Sequence, residues 1–190
     1  MEINRLDVYP HNFSEKIGYS EVRHLLEEYC ASSLGREEMQ ALEASADKED
    51  IVRALDETRE MITIMAGESP LPSLALVDCR DVLRRIRPQG TFIEEEELLD
   101  LLRMLETLHS LQRFFLEEHT TGERAVETFA YTYPRLASLL EDTPSFPKIE
   151  SHLRSLLTEE GKLRDNASRD LLRIRQTIRE TERSLSGMLQ

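Results

Sequence analysis

Residues 94–118 read EEEELLDLLRMLETLHSLQRFFLEE, and this stretch decides the fold. Leu98, Leu101, Leu102, Leu105, Leu108, Leu111, Phe115 and Leu116 recur at the three- and four-residue spacing of a helix. At 100° per residue they cover about half the circumference, and Leu99 and Phe114 widen the stripe. A stripe that broad predicts a central helix packed from several sides. Glu94 to Glu97 place negative charge on the positive end of its dipole.

Working outward, helical periodicity continues in both directions. Upstream, Ser20 is an expected N-cap for a helix to about Ser32, with Val22, Leu25, Leu26 and Tyr29 on one side. Ser33 would cap a short helix through Leu42, and Asp47 one to about Ala66. In the latter, Ile51, Leu55, Thr58, Ile62 and Met65 form the apolar stripe, opposite Arg53, Asp56, Glu57 and Glu60. Gly67, Pro70 and Pro72 mark a loop, and a helix from about Asp78 stops at Ile86 before Arg87-Pro88. Downstream, helices are expected near 123–131, 134–141 and from Pro147 to Leu157, with proline accepted in a first turn. A tight turn at Glu159, Glu160 and Gly161 precedes a final helix from about Ser168. The prediction is an all-α fold in two parts: a helical core over 1–157, then a turn and a long coiled-coil helix over 158–190.

That last helix carries two faces. Leu171, Ile174, Ile178, Leu185 and Met188 step by 3, 4, 7 and 3, a heptad seam with Thr181 in the missing slot. No C-cap closes the pattern, which predicts a helix continuing past Gln190, in a chain that is a piece of a longer protein. With Arg169 at zero, Arg173, Arg175, Arg179 and Arg183 fall within one arc of about 160° on the side away from the seam. That face suits phosphate contact, or else a solvated surface paired with Glu180 and Glu182.

The 190 residues carry 24 Lys and Arg against 37 Asp and Glu, a net charge of −13. Residues 151–190 hold 8 basic and 6 acidic residues, so the excess acid lies upstream. An acidic body repels polyanions at long range, which leaves the last 40 residues as the expected contact. Seven Gly and seven Pro are few for a turn-rich β protein, and two cysteines make no disulfide framework. No apolar run of 18 residues occurs, so no membrane partner is expected; a reducing, cytoplasmic setting is. The sequence contains no Walker A loop, Rossmann fingerprint, GxSxG elbow or HExxH pair. Asp47-Lys48-Glu49-Asp50 and Asp78-Cys79-Arg80-Asp81 read as capping clusters rather than metal sites. His11, His24, His109, His119 and His152 share no ligand spacing. Catalytic, cofactor and metal residues are therefore assigned to no position in this chain.

Several pieces in order resemble the MutS family. They are Tyr29-Cys-Ala-Ser-Ser-Leu-Gly-Arg-Glu, the Asp47 to Met65 helix with its Leu55-Asp-Glu-Thr-Arg-Glu, and Ser69-Pro-Leu-Pro-Ser-Leu. Asp78 with Val82-Leu-Arg-Arg, and Gly90-Thr-Phe-Ile-Glu-Glu-Glu-Glu-Leu-Leu, follow. The most specific piece is Glu159-Glu-Gly-Lys-Leu-Arg-Asp-Asn-Ala-Ser-Arg-Asp-Leu-Leu-Arg-Ile-Arg, in which Asp165, Ala167, Ser168, Leu171, Ile174 and Arg175 match the family's turn into its lever helix. The likeness is to the branch lacking mismatch-reading N-terminal domains; Ser73-Leu74 departs from its usual glycines. The resemblance implies the helical core and ascending lever half of a homodimeric DNA-binding ATPase of the recombination-restraining type. It implies ATP and Mg in the full-length protein, often a nuclease domain, and action on branched DNA or on collided ribosomes through rRNA. Clamp, ATPase and nuclease lie outside these residues. The competing reading is a coiled-coil adaptor with no nucleic-acid role.

Overall fold

The computed structural model describes residue 10 and residues 12–67, 71–120 and 126–188. In chain order these form α1 (Phe13–Lys16), α2 (Tyr19–Glu28), α3 (Ser33–Ala41), α4 (Lys48–Ala66), α5 (Arg80–Arg85), α6 (Glu95–Leu116), β1 (Glu118–Thr120), β2 (Val126–Thr128), α7 (Phe129–Thr132), α8 (Pro134–Glu141), α9 (Pro147–Leu156) and α10 (Arg169–Met188). Among the described residues the fold is all-α apart from one antiparallel ribbon of two three-residue strands, in register Glu118 to Thr128. The ribbon stands where a helix near 123–131 was expected; residues 123–125 of that expectation lie outside the described residues. β-branched Thr120, Val126 and Thr128 favour the extended pairing, and the helix begins only at Phe129.

Local chemistry sets most boundaries. Asp47 caps α4 by accepting from the amides of Glu49 (2.8 Å) and Asp50 (3.1 Å), so this acidic cluster works as a helix start. Ser32, one residue before the expected Ser33, caps α3 through the Gly35 amide. α2 begins at Tyr19 behind Gly18, whose φ of +72° makes the bend; Ser20 lies inside the helix and caps nothing. Pro134 and Pro147 open α8 and α9. At the start of α6, Glu97 accepts from the amide of Glu94, half of a capping box.

The chain divides into two compact units: residues 1–78 with 107–144, and residues 79–106 with 145–190. The first holds 10 Lys and Arg against 23 Asp and Glu; the second holds 14 of each. The net charge of the chain therefore resides wholly in the first unit.

The first unit is built on Ile64, Phe115 and Ala137, ringed by Leu71, Leu111, Phe114, Phe129, Tyr133 and Leu136. Phe114 and Phe129 stack with centroids 4.8 Å apart. The side of α4 that packs here is not the expected one. Ile51, Leu55, Ile62 and Met65 are 40–77% exposed, while Ile64 is 2% exposed. Glu60 gives both carboxylate oxygens to the first amides of α8, Arg135 at 3.1 Å and Leu136 at 2.9 Å. α8 has no side-chain cap of its own. Glu60 and Ile64, four residues apart, lie on one side of α4, so capping α8 and packing Ile64 into the cluster go together.

In the second unit the start of α6 buries Leu101 and Leu102, α9 buries Leu153, and Cys79 and Leu157 complete the apolar set. Glu150, also buried, is held by Arg154, which bonds Glu106 as well. With Thr107 and Phe115 added, α6 contributes four buried side chains among the described residues, more than any other helix, as its broad stripe predicts.

Candidate functional site

The segment between α9 and α10 is a closely bonded elbow. Leu157 and Leu163 face each other in an isolated antiparallel bridge. The Thr158 amide donates to the Lys162 carbonyl (2.7 Å) and the Arg164 amide to that of Leu156 (2.8 Å). Gly161, at φ +80°, makes the reversal and lies against Leu99, where a Cβ would collide with the leucine side chain. Glu95 of α6 accepts from the Leu163 amide. Ser168 caps α10 by accepting from the Leu171 amide (3.1 Å), as the sequence predicts for a helix starting near it.

Two arginines of α10 return to this elbow. Arg175 donates to the Leu163 carbonyl (3.0 Å) and to one oxygen of Asp165; Arg179 donates to the other. The two guanidinium groups, Arg175 first, hold the Asp165 carboxyl below its ordinary range. Asp165 thereby ties the first three turns of α10 to the turn that precedes them. The start of the helix is thus held to the preceding turn by side chains as well as by the backbone.

The five arginines projected onto one face are divided by this arrangement. Arg175 and Arg179 share Asp165. Arg173 lies 3.6 Å from Asp170 on its own helix. Arg169 and Arg183 are exposed along the same side. Of the seam residues, Leu171 is half-buried, and Ile174, Ile178 and Leu185 are 51–56% exposed. Ile174, Ile178, Arg173, Thr177, Thr181 and Glu182 line a shallow apolar groove along the helix. The side chain of Met188 lies outside the described residues, as do His11 and the side chain of His119.

Among the described residues no group of three or more His, Cys, Asp or Glu converges as a metal site would require. Cys79 is buried and Cys30 half-buried, its thiol donating to the Leu26 carbonyl. No helix of the described residues is long and apolar enough to cross a membrane. The signal missed in the sequence is Asp165 as a partner of the arginine face: a helical wheel projects α10 alone and omits an acid ten and fourteen residues earlier in the chain.

A helical core bearing an amphipathic helix on a bonded elbow is the class that these features define. Comparison with known proteins makes it more particular. The chain is 26% identical over 162 residues to a protein named Endonuclease MutS2 from Finegoldia magna, covering 85% of this chain and 20% of that one. It is 26% identical over 172 residues to the Geobacillus protein of that name, with 90% and 21% covered. It is 29% identical over 160 residues to the one from Alkaliphilus oremlandii, with 84% and 19% covered. The likeness to the MutS family read from the sequence is thus found along nearly the whole chain, which spans about a fifth of the length of the curated relatives it matches. No protein-family model and no solved structure matches the chain.

Proposed function

We propose that this chain is the helical core and ascending lever of a MutS2-like protein that acts on nucleic acid. Its work is mechanical. α10 is the rod, the elbow is its mount, and movement of the rod couples a nucleotide-driven motor to a clamp on branched DNA or on the rRNA of a stalled ribosome. ATP and Mg would be held by residues outside these 190, since no phosphate-cradling loop occurs here. They would supply the free energy of the movement. What this chain contributes is stiffness at one end of the rod and two usable faces along it. The seam of Leu171, Ile174, Ile178 and Leu185 would seat a returning helix in a coiled coil. The arginine face would stay outward and meet phosphates.

The observation that carries the reading is the Asp165 tie. A helix meant to transmit rotation needs its first turns fixed to the body it moves with. The Arg175 and Arg179 bonds add to that fixing at the turn that precedes the helix. The test is nucleic-acid binding across a salt series. Replacing Arg169, Arg173 and Arg183 with glutamine should weaken binding and lower the log–log salt slope by about 2 to 3, close to 0.9 for each lost phosphate contact. An unchanged slope contradicts the phosphate-facing role and leaves the face as solvated surface.

A further inference from the structure

Arg175 and Arg179 stand one turn apart on α10 and aim both guanidinium groups at a single carboxylate. Paired arginines can hold a phosphate in the same way, each guanidinium bonding one oxygen of a single anion. We infer that Arg175 and Arg179 form an anion seat for a nucleic-acid phosphate, and that Asp165 fills this seat in the free chain as an internal substitute. The inference rests on the phosphate-facing reading of α10 and adds to it a site, an occupant and a competition.

Three observations support it. The seat is accessible: the side chains of Arg175, Arg179 and Asp165 are 35%, 58% and 36% exposed, so an incoming phosphate reaches the guanidinium groups without unfolding the elbow. Arg175 keeps a bond to the Leu163 carbonyl that does not involve Asp165, so it stays positioned when the carboxylate is displaced. Arg183 continues the same row one turn beyond Arg179, which extends the seat along the helix for the next phosphate.

The surroundings favour a regulated seat over a permanently open one. Two guanidinium groups one turn apart on a helix repel each other when unpaired. Asp165 relieves that repulsion locally. When a phosphate takes its place, the carboxylate is released and the tie between elbow and helix is reduced to the Arg175 bond to the Leu163 carbonyl. Binding at α10 thereby loosens the mount of the same helix, so nucleic-acid contact and helix mobility are linked within one cluster of three side chains.

The experiment measures binding of a fluorescein-labelled DNA duplex by anisotropy over a salt series, for the full 190-residue chain and for Asp165→Asn, Asp170→Asn and the triple variant Asp165→Asn/Arg175→Gln/Arg179→Gln. Circular dichroism confirms that each is helical. The expected result is tighter binding by Asp165→Asn, about tenfold or more at low salt, with the salt slope of the unaltered chain, because displacing Asp165 leaves both complexes with the same two phosphate contacts. Asp170→Asn, which removes the same charge beside Arg173, should give a smaller gain, and the triple variant should abolish it. Equal gains from Asp165→Asn and Asp170→Asn would show a general charge effect and overturn the seat. So would an affinity of Asp165→Asn no greater than that of the unaltered chain, or a triple-variant salt slope equal to that of Asp165→Asn where one about 1.8 lower is expected for the two lost contacts. Absence of salt-dependent binding in every variant would remove the phosphate-facing reading itself, and the seat with it. A parallel titration with inorganic phosphate distinguishes the ligand source: the nucleic-acid seat predicts competition only at millimolar phosphate or above, and displacement at micromolar phosphate contradicts it.

Discussion

Gly161→Ala should be the most damaging single-methyl change in the second unit. Two costs add at this position. The backbone φ of +80° is one that a residue with a Cβ adopts at a cost of roughly 1–2 kcal/mol. The new methyl also runs into the Leu99 side chain, and forcing a methyl-sized group into a packed site costs typically about 1–3 kcal/mol. The total is about 2–5 kcal/mol. Gly90 provides the control: its φ is +88°, and nothing lies within 4 Å of the Cβ that alanine would add. Gly90→Ala should therefore show only the backbone cost. Thermal and urea unfolding of the two variants give the comparison, and a loss of 2 kcal/mol lowers Tm by about 8–16 °C in a unit of this size. Adding Leu99→Ala to Gly161→Ala removes the collision and should restore about 1–3 kcal/mol relative to the sum of the single changes. The reasoning fails if Gly161→Ala costs no more than Gly90→Ala, or if the double variant is simply additive.

Ile64→Ala should cost about 2–5 kcal/mol while Ile62→Ala, on the exposed side of α4, should stay within about 0.5 kcal/mol; urea unfolding that reverses this order would restore the stripe read from the sequence as the packed face. Glu60→Ala should cost about 1–2 kcal/mol by uncapping α8, and Glu60→Gln about half of that because one acceptor oxygen remains. Asp165 has a depressed pKa when folded, so its stabilisation is present above the unfolded value of about 3.9 and lost as pH falls through the folded one. Acid titration of stability below about pH 4 should therefore be flatter in Asp165→Asn, and an identical profile would contradict the tie.

Features held by neighbouring residues were legible in the sequence. Asp47 as a cap, Pro134 and Pro147 as first-turn residues, the turn at Gly161 and the start of α10 behind Ser168 each depend on a few adjacent positions. The packed side of α4 was not, because it is shared with Glu60, which reaches the amides of α8 some 75 residues later. Hydrophobic periodicity ranks the two sides of that helix by composition and does not register a distant cap that falls on the same side as Ile64. The candidate site divides in the same way. The arginine face and the seam of α10 follow from helical geometry alone. Asp165, matched in the sequence only as part of a family-like turn, acquires its role from a reversal of the chain that brings it beneath Arg175 and Arg179. The ribbon at Glu118–Thr128 was missed because its strands are three residues each, too short for a period of two to register.

Asp165 fixes α10 to the elbow that precedes it. Amide hydrogen exchange along the helix tests this directly, in the unaltered chain and in Asp165→Asn. The account predicts strong protection of the amides from Arg173 to Arg179 in the unaltered chain. Asp165→Asn should lower that protection sharply and leave α6 unchanged. Equal protection of Arg173 to Arg179 in both proteins would show that the helix is held without the tie, and would contradict the account.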